Sequence, residues 1–334
     1  MKLDVHVHLA GLGTGGSGCW LSPRFRSRWS FRLLSRIYGF TRERMRGSVD
    51  QEWAASIAER VRTSELDAAV ALGFDGVYGR DGEPDLSRSQ MIVPPEWVFE
   101  ACRTHPELLP GPSINPYRRD ALDRLEESIS RGAILIKWLP SAMAIDPADP
   151  SIRPFYDRMA ESGLPLLVHA GGSERTFAEV APEMKDLRRL RLPLEGGVPV
   201  ICAHSGVPVH FSRDENQLPV LREMLREFPH LWVDNSGISN PSRFRHLPRL
   251  AKDPEIAERT LYGSDYPVPS LPFLYRRSLG ARRMQAVQRE RNPFQRDIAL
   301  KRALGYPEAT LTRAATVLPT LARTENPLVR SGEA

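Results

Sequence analysis

The sequence predicts an α/β fold, a single (β/α)8 TIM barrel with a long insertion after strand 1, on three observations. Short apolar runs alternate with stretches of helical spacing along most of the chain, the mark of parallel βα units. Several runs, such as AILIKWL and PLLVHAG, are apolar on both faces, as strands covered by helices must be. Finally, His8, Lys137, His169, His204 and Asp265 each fall at the end of a different run. A barrel gathers its active site from the C-terminal ends of several strands, whereas an open sheet brings together the ends of only a few.

Taken in order, the expected strands are Leu3 to Val7, Ala68 to Leu72, Leu109 to Ile114, Ala133 to Trp138, Leu164 to Val168, Val198 to Ala203, Leu231 to Asp234 and Arg259 to Tyr262. The expected helices between them are Gln51 to Arg62, Pro95 to Thr104, Arg119 to Ser130, Ile152 to Ser162, Lys185 to Arg191, Leu218 to Phe228 and Arg243 to Lys252, with Phe294 to Leu304 covering the eighth strand. A packing helix is expected from Thr310 onward. Residues 1–320 then form one barrel and 321–334 a C-terminal tail that frays. The connection over residues 9–49 is far longer than the roughly two to six residues usual for a βα loop. It opens with the glycine stretch GLGTGGSG, read as a flexible hinge, and continues basic and aromatic. Because a βα loop emerges on the active-site face, it reads as a lid, or else as an interface with a second subunit of a homo-oligomer or a solvated helix with an apolar stripe at Trp29, Leu33 and Ile37. GTGGSG lacks the spacing and the lysine of a phosphate loop.

Composition narrows the classes. A hydrophobic content of 41% with 26% charged residues is ordinary for a globular domain. No run approaches the 18 or so apolar residues of a membrane span, so no integral membrane segment is expected, and MKLDVHVHLA lacks the apolar core of a signal peptide. Cys19, Cys102 and Cys202 are far apart and form no CxxC pair, which points to a reducing, cytoplasmic setting. The net charge of +5 comes almost wholly from arginine, since Lys2, Lys137, Lys185, Lys252 and Lys301 are the chain's lysines. No nucleic-acid-binding signature accompanies that charge, so no nucleic-acid partner is expected.

Asp4, His6 and His8 alternate along the first strand, which in a regular strand puts all three side chains on one face with Val5 and Val7 on the other. Two imidazoles so placed can converge on one cation. A lone HxH is more often an ordinary pair of hydrogen-bonded histidines, but four other strands end in matching residues. Lys137 ends ILIK, where an unpaired ammonium would be costly. It can pair with a carboxylate, lose its proton, or take up CO2 and become an anionic carbamate ligand. His169 in LLVHAGG and His204 in VICAHSG each follow four apolar residues and precede a glycine-bearing turn. Asp265 in LYGSDYP follows the eighth strand, where a carboxylate can bind metal and accept a proton from its water. Metal ligands are therefore expected at His6, His8, Lys137, His169, His204 and Asp265, with Asp265 also placed to accept a proton.

DVHVH, IKWLPSAMAIDP with the following GLPLLVHAGG, ICAHSG and YGSDYP resemble, in this order, the amidohydrolase superfamily, and within it the branch that includes aminocarboxymuconate semialdehyde decarboxylase. The resemblance spans residues 3–8 and about 130–270. It implies a divalent metal, zinc above all, at the barrel mouth, with Asp265 as ligand and proton-shuttling base. In binuclear members His6, His8 and Asp265 would hold one ion and His169 and His204 the other, with carboxylated Lys137 bridging. In mononuclear ones His6, His8, His169 and Asp265 hold the ion and His204 orients substrate or moves protons. Many relatives carry KxHP where this chain has KWLP, so Leu139 replaces a histidine and its role is absent here. With all six ligands present, the reading leans to two ions.

A divalent ion lowers the pKa of bound water from roughly 16 to about 7 and polarises a substrate oxygen. The leading expectation is thus a hydrolase of a small, anionic organic substrate. Nonoxidative decarboxylation is the runner-up, and a non-catalytic barrel serving as a binding or interaction protein is the alternative from another class. Asn115, Trp138, Arg175, Asn235, Ser236 and Tyr266 lie where loops leave the mouth and are candidate substrate contacts, although each can equally cap a helix or fill a turn.

Overall fold

The computed structural model describes residues 1–28, 31, 32, 35, 36, 47–174, 176–324 and 326–330. Trp29, Leu33, Ile37, Arg42, Arg44, Arg46, Arg175 and the last four residues of the tail lie outside them. The strands are β1 (Leu3–His8), β2 (Trp20–Leu21), β3 (Ala68–Leu72), β4 (Met91–Ile92), β5 (Leu108–Gly111), β6 (Ile136–Trp138), β7 (Leu166–Val168), β8 (Val200–Cys202), β9 (Leu231–Asp234) and β10 (Thr260–Leu261).

Strands β1, β3 and β5 pair in parallel, as do β6 through β10 in chain order. Backbone hydrogen bonds join the two groups at both edges. Ile134 N donates to Pro110 O (2.8 Å) and Lys137 N to Pro112 O (2.9 Å), linking the β5 and β6 segments. Val5 N donates to Tyr262 O (3.0 Å) and His8 N to Tyr266 O (2.8 Å), linking β1 to the segment after β10. Eight parallel strands thus run in chain order around a TIM barrel, with β2 and β4 forming a small antiparallel pair beside it.

Helices such as Val49–Arg62, Pro95–Thr104, Ala121–Ser130, Arg153–Ser162, Leu218–Glu227 and Pro293–Ala303 separate the strands, close to the expected spans. Two expectations fail. Lys185 to Arg191 is broken into 3-10 turns followed by a short helix, Arg191–Glu195, because the Asp186 side chain accepts from Arg188 N and restarts the chain there. Of Arg243 to Lys252 only Leu247–Leu250 is α-helical, since Pro248 blocks a backbone donor and the Arg243 side chain bonds to neighbouring loops.

The strand faces sort into two cores. Leu3, Val5, Val70, Leu72, Leu109, Leu167 and Ile201 pack together, while Val7, Ala69, Ala71, Trp138, Val168 and Val200 pack with the helices. Gly111 leaves room in the first group: a Cβ there would lie 2.7 Å from Val70 Cγ1 and 2.9 Å from Leu72 Cδ2. One reading of β1 is corrected. Asp4 pairs with Ala69 but Val7 with Ala71, a register shift of one residue. Such a bulge breaks the period of two, so Asp4 does not share a face with His6 and His8. It faces the helix layer, on the side of Ala69, while the two histidines turn inward.

Candidate metal centre

The inward ends of the strands bring the polar residues together. His8 Nε2 lies 3.0 Å and His6 Nε2 3.4 Å from Asp265 Oδ1. His6, His8 and Asp265 each offer one atom, all within 4.8 Å of one another. Lys137, on β6, is 1% exposed, and its Nζ lies 3.2 Å from His6 Nε2. The imidazoles continue in contact from there: His204 stacks on His6 with centroids 5.2 Å apart and meets His169 edge-on at 4.8 Å.

Second partners set which nitrogen of each ring carries a lone pair. His6 Nδ1 donates to Asp234 Oδ2 at 2.8 Å, leaving Nε2 as a ligand atom on the side of Asp265. His204 Nδ1 donates to Ser236 O (2.8 Å), leaving its Nε2. Asp234 also accepts from His204 N (2.8 Å) and from the Ser236 hydroxyl (2.5 Å). His6, His204 and Asp234 also converge within 4.8 Å, but their facing atoms are already hydrogen-bonded, so this group fixes the orientation of the two imidazoles. A carboxylate behind a ligating imidazole has this role in many metal sites, fixing its tautomer and raising its basicity. Asp234 escaped the sequence reading. The signal, an acid directly ending an apolar strand beside Asn235 and Ser236, was present but reads equally as a turn.

Burial pushes the pKa of His6 and His204 well below the usual imidazole range and that of His169 down to about 4. The rings are neutral at pH 7, the form that binds metal. Burial likewise pushes Lys137 down to about 8, against the pull of Asp234 and Asp265. His169 Nδ1 is buried without a hydrogen-bond partner. Lone-pair nitrogens and a carboxylate in one buried place suit a divalent ion.

The backbone is strained to reach this arrangement. His204 has φ 54° and Asp265 φ 64°, left-handed values that side chains other than glycine rarely adopt. Gly237 is required beside them, because a Cβ there would stand 2.3 Å from Asp265 Oδ2.

A model of the amidohydrolase family matches residues 3–303. The chain belongs to the amidohydrolase family. No curated protein sequence matches. The solved structures it resembles share the fold at low identity. One is an uncharacterised TIM-barrel protein from Bordetella bronchiseptica, 15% identical, covering 90% of this chain and 99% of that one with TM-score 0.56. A candidate 2-pyrone-4,6-dicarboxylic acid hydrolase from Pseudomonas putida is 16% identical, with coverage of 96% and 97% and TM-score 0.53. A 5-carboxyvanillate decarboxylase from Sphingomonas paucimobilis is 11% identical, with coverage of 95% and 98% and TM-score 0.53.

In this amidohydrolase the six candidate substrate contacts separate. Ser236 alone, among the five that are described, lies in the histidine cluster, its Oγ 3.0 Å from His6 Nδ1 and 2.9 Å from His204 Nδ1. Trp138 turns to the helix layer, packing on Phe155 and Tyr156 and donating from Nε1 to Ile114 O (2.7 Å). Asn115 holds loops together, its Nδ2 donating to Gly76 O and Met143 O. Asn235 accepts from Gly263 N (3.2 Å), and Tyr266 stacks on Trp53 at 5.4 Å. Arg175 lies outside the described residues. Among those residues no helix is long and apolar enough to cross a membrane.

Proposed function

We propose that this amidohydrolase is a metal-dependent hydrolase of a small organic substrate bearing an acidic group, working in the cytoplasm, to which its three free cysteines are suited. The observation that carries the reading is the approach of Asp265 Oδ1 to His6 Nε2 and His8 Nε2, with Asp234 holding the far side of His6. His6, His8 and Asp265 would hold one ion, zinc for preference. His169 and His204 would hold a second, with Lys137 carboxylated between them. When bound, a divalent ion supplies an acidified water and polarises a substrate oxygen.

The residues then divide the work. Asp265 takes the proton from the attacking water and returns it to the leaving group. In a one-ion arrangement His204, fixed through Nδ1 by Ser236 O, would instead orient the substrate oxygen from Nε2. Carboxylation of Lys137 removes a positive charge that would repel a nearby ion by several kcal/mol at modest effective dielectric, roughly.

The first experiment is metal analysis of His6→Ala. The purified variant should keep the wild-type circular dichroism spectrum and lose the ion that His6 shares with His8 and Asp265, and full occupancy measured by elemental analysis overturns the assignment. The same wild-type preparation separates the two chemistries of this site. Two ions per chain and no CO2 release from carboxylated phenols or enols fit hydrolysis. One ion, with CO2 released, is the decarboxylase.

A further inference from the structure

The loop that leaves β7 carries an acid that the sequence reading did not single out. Glu174 Oε2 lies 3.5 Å from His169 Nδ1. His169 Nε2 is 3.0 Å from Gly172 O, and because a carbonyl only accepts, the proton of the neutral ring is on Nε2. Nδ1 is then a lone pair, buried and without a hydrogen-bond partner. A buried lone pair turned toward a carboxylate makes a place for a cation between them. Their separation is that of neighbouring ligands on one ion: bonds of about 2.0–2.2 Å in tetrahedral geometry place two donors roughly 3.3–3.6 Å apart.

The loop is held so that this carboxylate stays in place. Thr176 N donates to the other oxygen, Glu174 Oε1 (2.5 Å), and Glu174 N donates to Glu179 Oε1 (3.1 Å). On either side an arginine from another loop ties the backbone down, Arg243 to Ser173 O (2.7 Å) and Arg28 to Thr176 O (2.6 Å). His169 and Glu174 are not part of the convergence of His6, His8 and Asp265. We propose that Glu174 is a metal ligand, sharing with His169 Nδ1 an ion distinct from the one held by His6, His8 and Asp265. The assignment rests on the metal-dependent reading above and adds a carboxylate to its second position.

The test is a titration of chelator-stripped protein with Zn(II), followed by calorimetry, and with Co(II), followed by its visible absorption. Circular dichroism checks the fold of each variant. In Glu174→Gln one binding event should weaken at least tenfold, the scale expected when a metal's supporting shell is damaged, and the Co(II) band assigned to it should shift. In His8→Ala the other event should weaken and this one persist. Glu174→Asp, which keeps a carboxylate, should recover part of the lost affinity and serves in place of Glu174→Gln if that variant does not fold. Wild-type affinity and an unchanged Co(II) spectrum in Glu174→Gln overturn the proposal and make the pair an ion pair with His169 protonated on both nitrogens. That result leaves the functional reading standing as long as His8→Ala loses metal. A wild-type protein that takes up no Zn(II) defeats both.

Discussion

Asp234 shows how much of this centre depends on a residue that touches no ligand position. Its two oxygens serve His6 Nδ1, His204 N and the Ser236 hydroxyl, so one carboxylate sets the tautomer of one histidine and the backbone position of another. Asp234→Asn presents an N–H or a poorer acceptor where His6 needs a strong one. Metal affinity should fall roughly 10–100-fold with the fold intact, read by competition with a chelator of known affinity, and unchanged affinity would show the contact to be incidental. Asp4 allows a second test. It accepts from His6 N and Ser264 N through Oδ1, while Oδ2 is buried without a partner, and burial raises its pKa to about 7. A carboxyl whose folded value lies above its ordinary 3.8 holds a proton in the native state between about pH 4 and 7. Its stabilising contribution is therefore full below that window and lost as pH rises through 7. Asp4→Asn should remove the loss, so the stability gap between variant and wild type, measured by urea unfolding of metal-free protein, widens from pH 4.5 to 7.5 by about 3 kcal/mol. The buried histidines slope the other way but are common to both proteins. Parallel pH profiles would refute the reading. The strand-end histidines were legible because each follows an apolar run. Asp234 and Glu174 were not, because an acid after a strand or in a loop looks the same whether it serves a ligand, a cap or solvent.

Among elements, the helix Pro293–Ala303 has the most to do with the site for one so far from it. Its start is capped by Asn292, whose side chain accepts from Phe294 N and Gln295 N. One turn apart on its inner side, Lys301 and Asp297 pair at 2.5 Å with side chains 3% exposed. Lys301 also donates to Gly263 O (2.6 Å), and Asp297 accepts from Ser239 Oγ and Tyr262 Oη. The pair thus fastens the helix to the turn that carries Asp265 and to the loop beyond Asp234. Lys301→Met leaves the Asp297 carboxylate buried without its counter-charge and should cost about 3–5 kcal/mol of unfolding free energy. Lys301→Met with Asp297→Leu should recover much of it, and a double variant no more stable than the single one would show that the helix contributes through packing alone. Helix existence and type were readable from apolar spacing, which is why spans such as Pro95–Thr104 match. What the spacing hid was the bulge in β1: one extra residue in the pairing leaves the apolar pattern of Leu3, Val5 and Val7 unchanged and yet reverses Asp4.

At the scale of the whole molecule, the arginine-rich insertion after β1 packs on the loops that follow β7 and β3. The described part of it is pinned in place. Phe25 stacks on Phe177 (5.2 Å), which stacks on Phe74 (4.6 Å), joining the loops that follow β1, β7 and β3. The glycine stretch read from sequence as a hinge is gathered around Asp50, which accepts from Leu12 N, Gly13 N, Thr14 N and Ser17 Oγ. A carboxylate that binds three successive amides holds a loop where glycine composition alone suggests freedom. The described part of the insertion is therefore held against the loops that follow β7 and β3, with Arg28 bonded to Thr176 O (2.6 Å), in a chain whose net charge is already +5. Positive charge beside a cleft raises the local concentration of anions within a Debye length of about 8–10 Å at ordinary ionic strength, an effect that fades as salt rises. For a turned-over substrate bearing a carboxylate, KM should rise severalfold between 50 and 500 mM salt while kcat changes little. Replacing residues 19–47 with a short glycine linker should leave a folded, metal-loaded barrel with a raised KM and a flattened salt dependence. If the shortened protein instead keeps the wild-type KM and salt response but loses oligomers seen by light scattering, the arginines face a second subunit, and the charge at the mouth has another source.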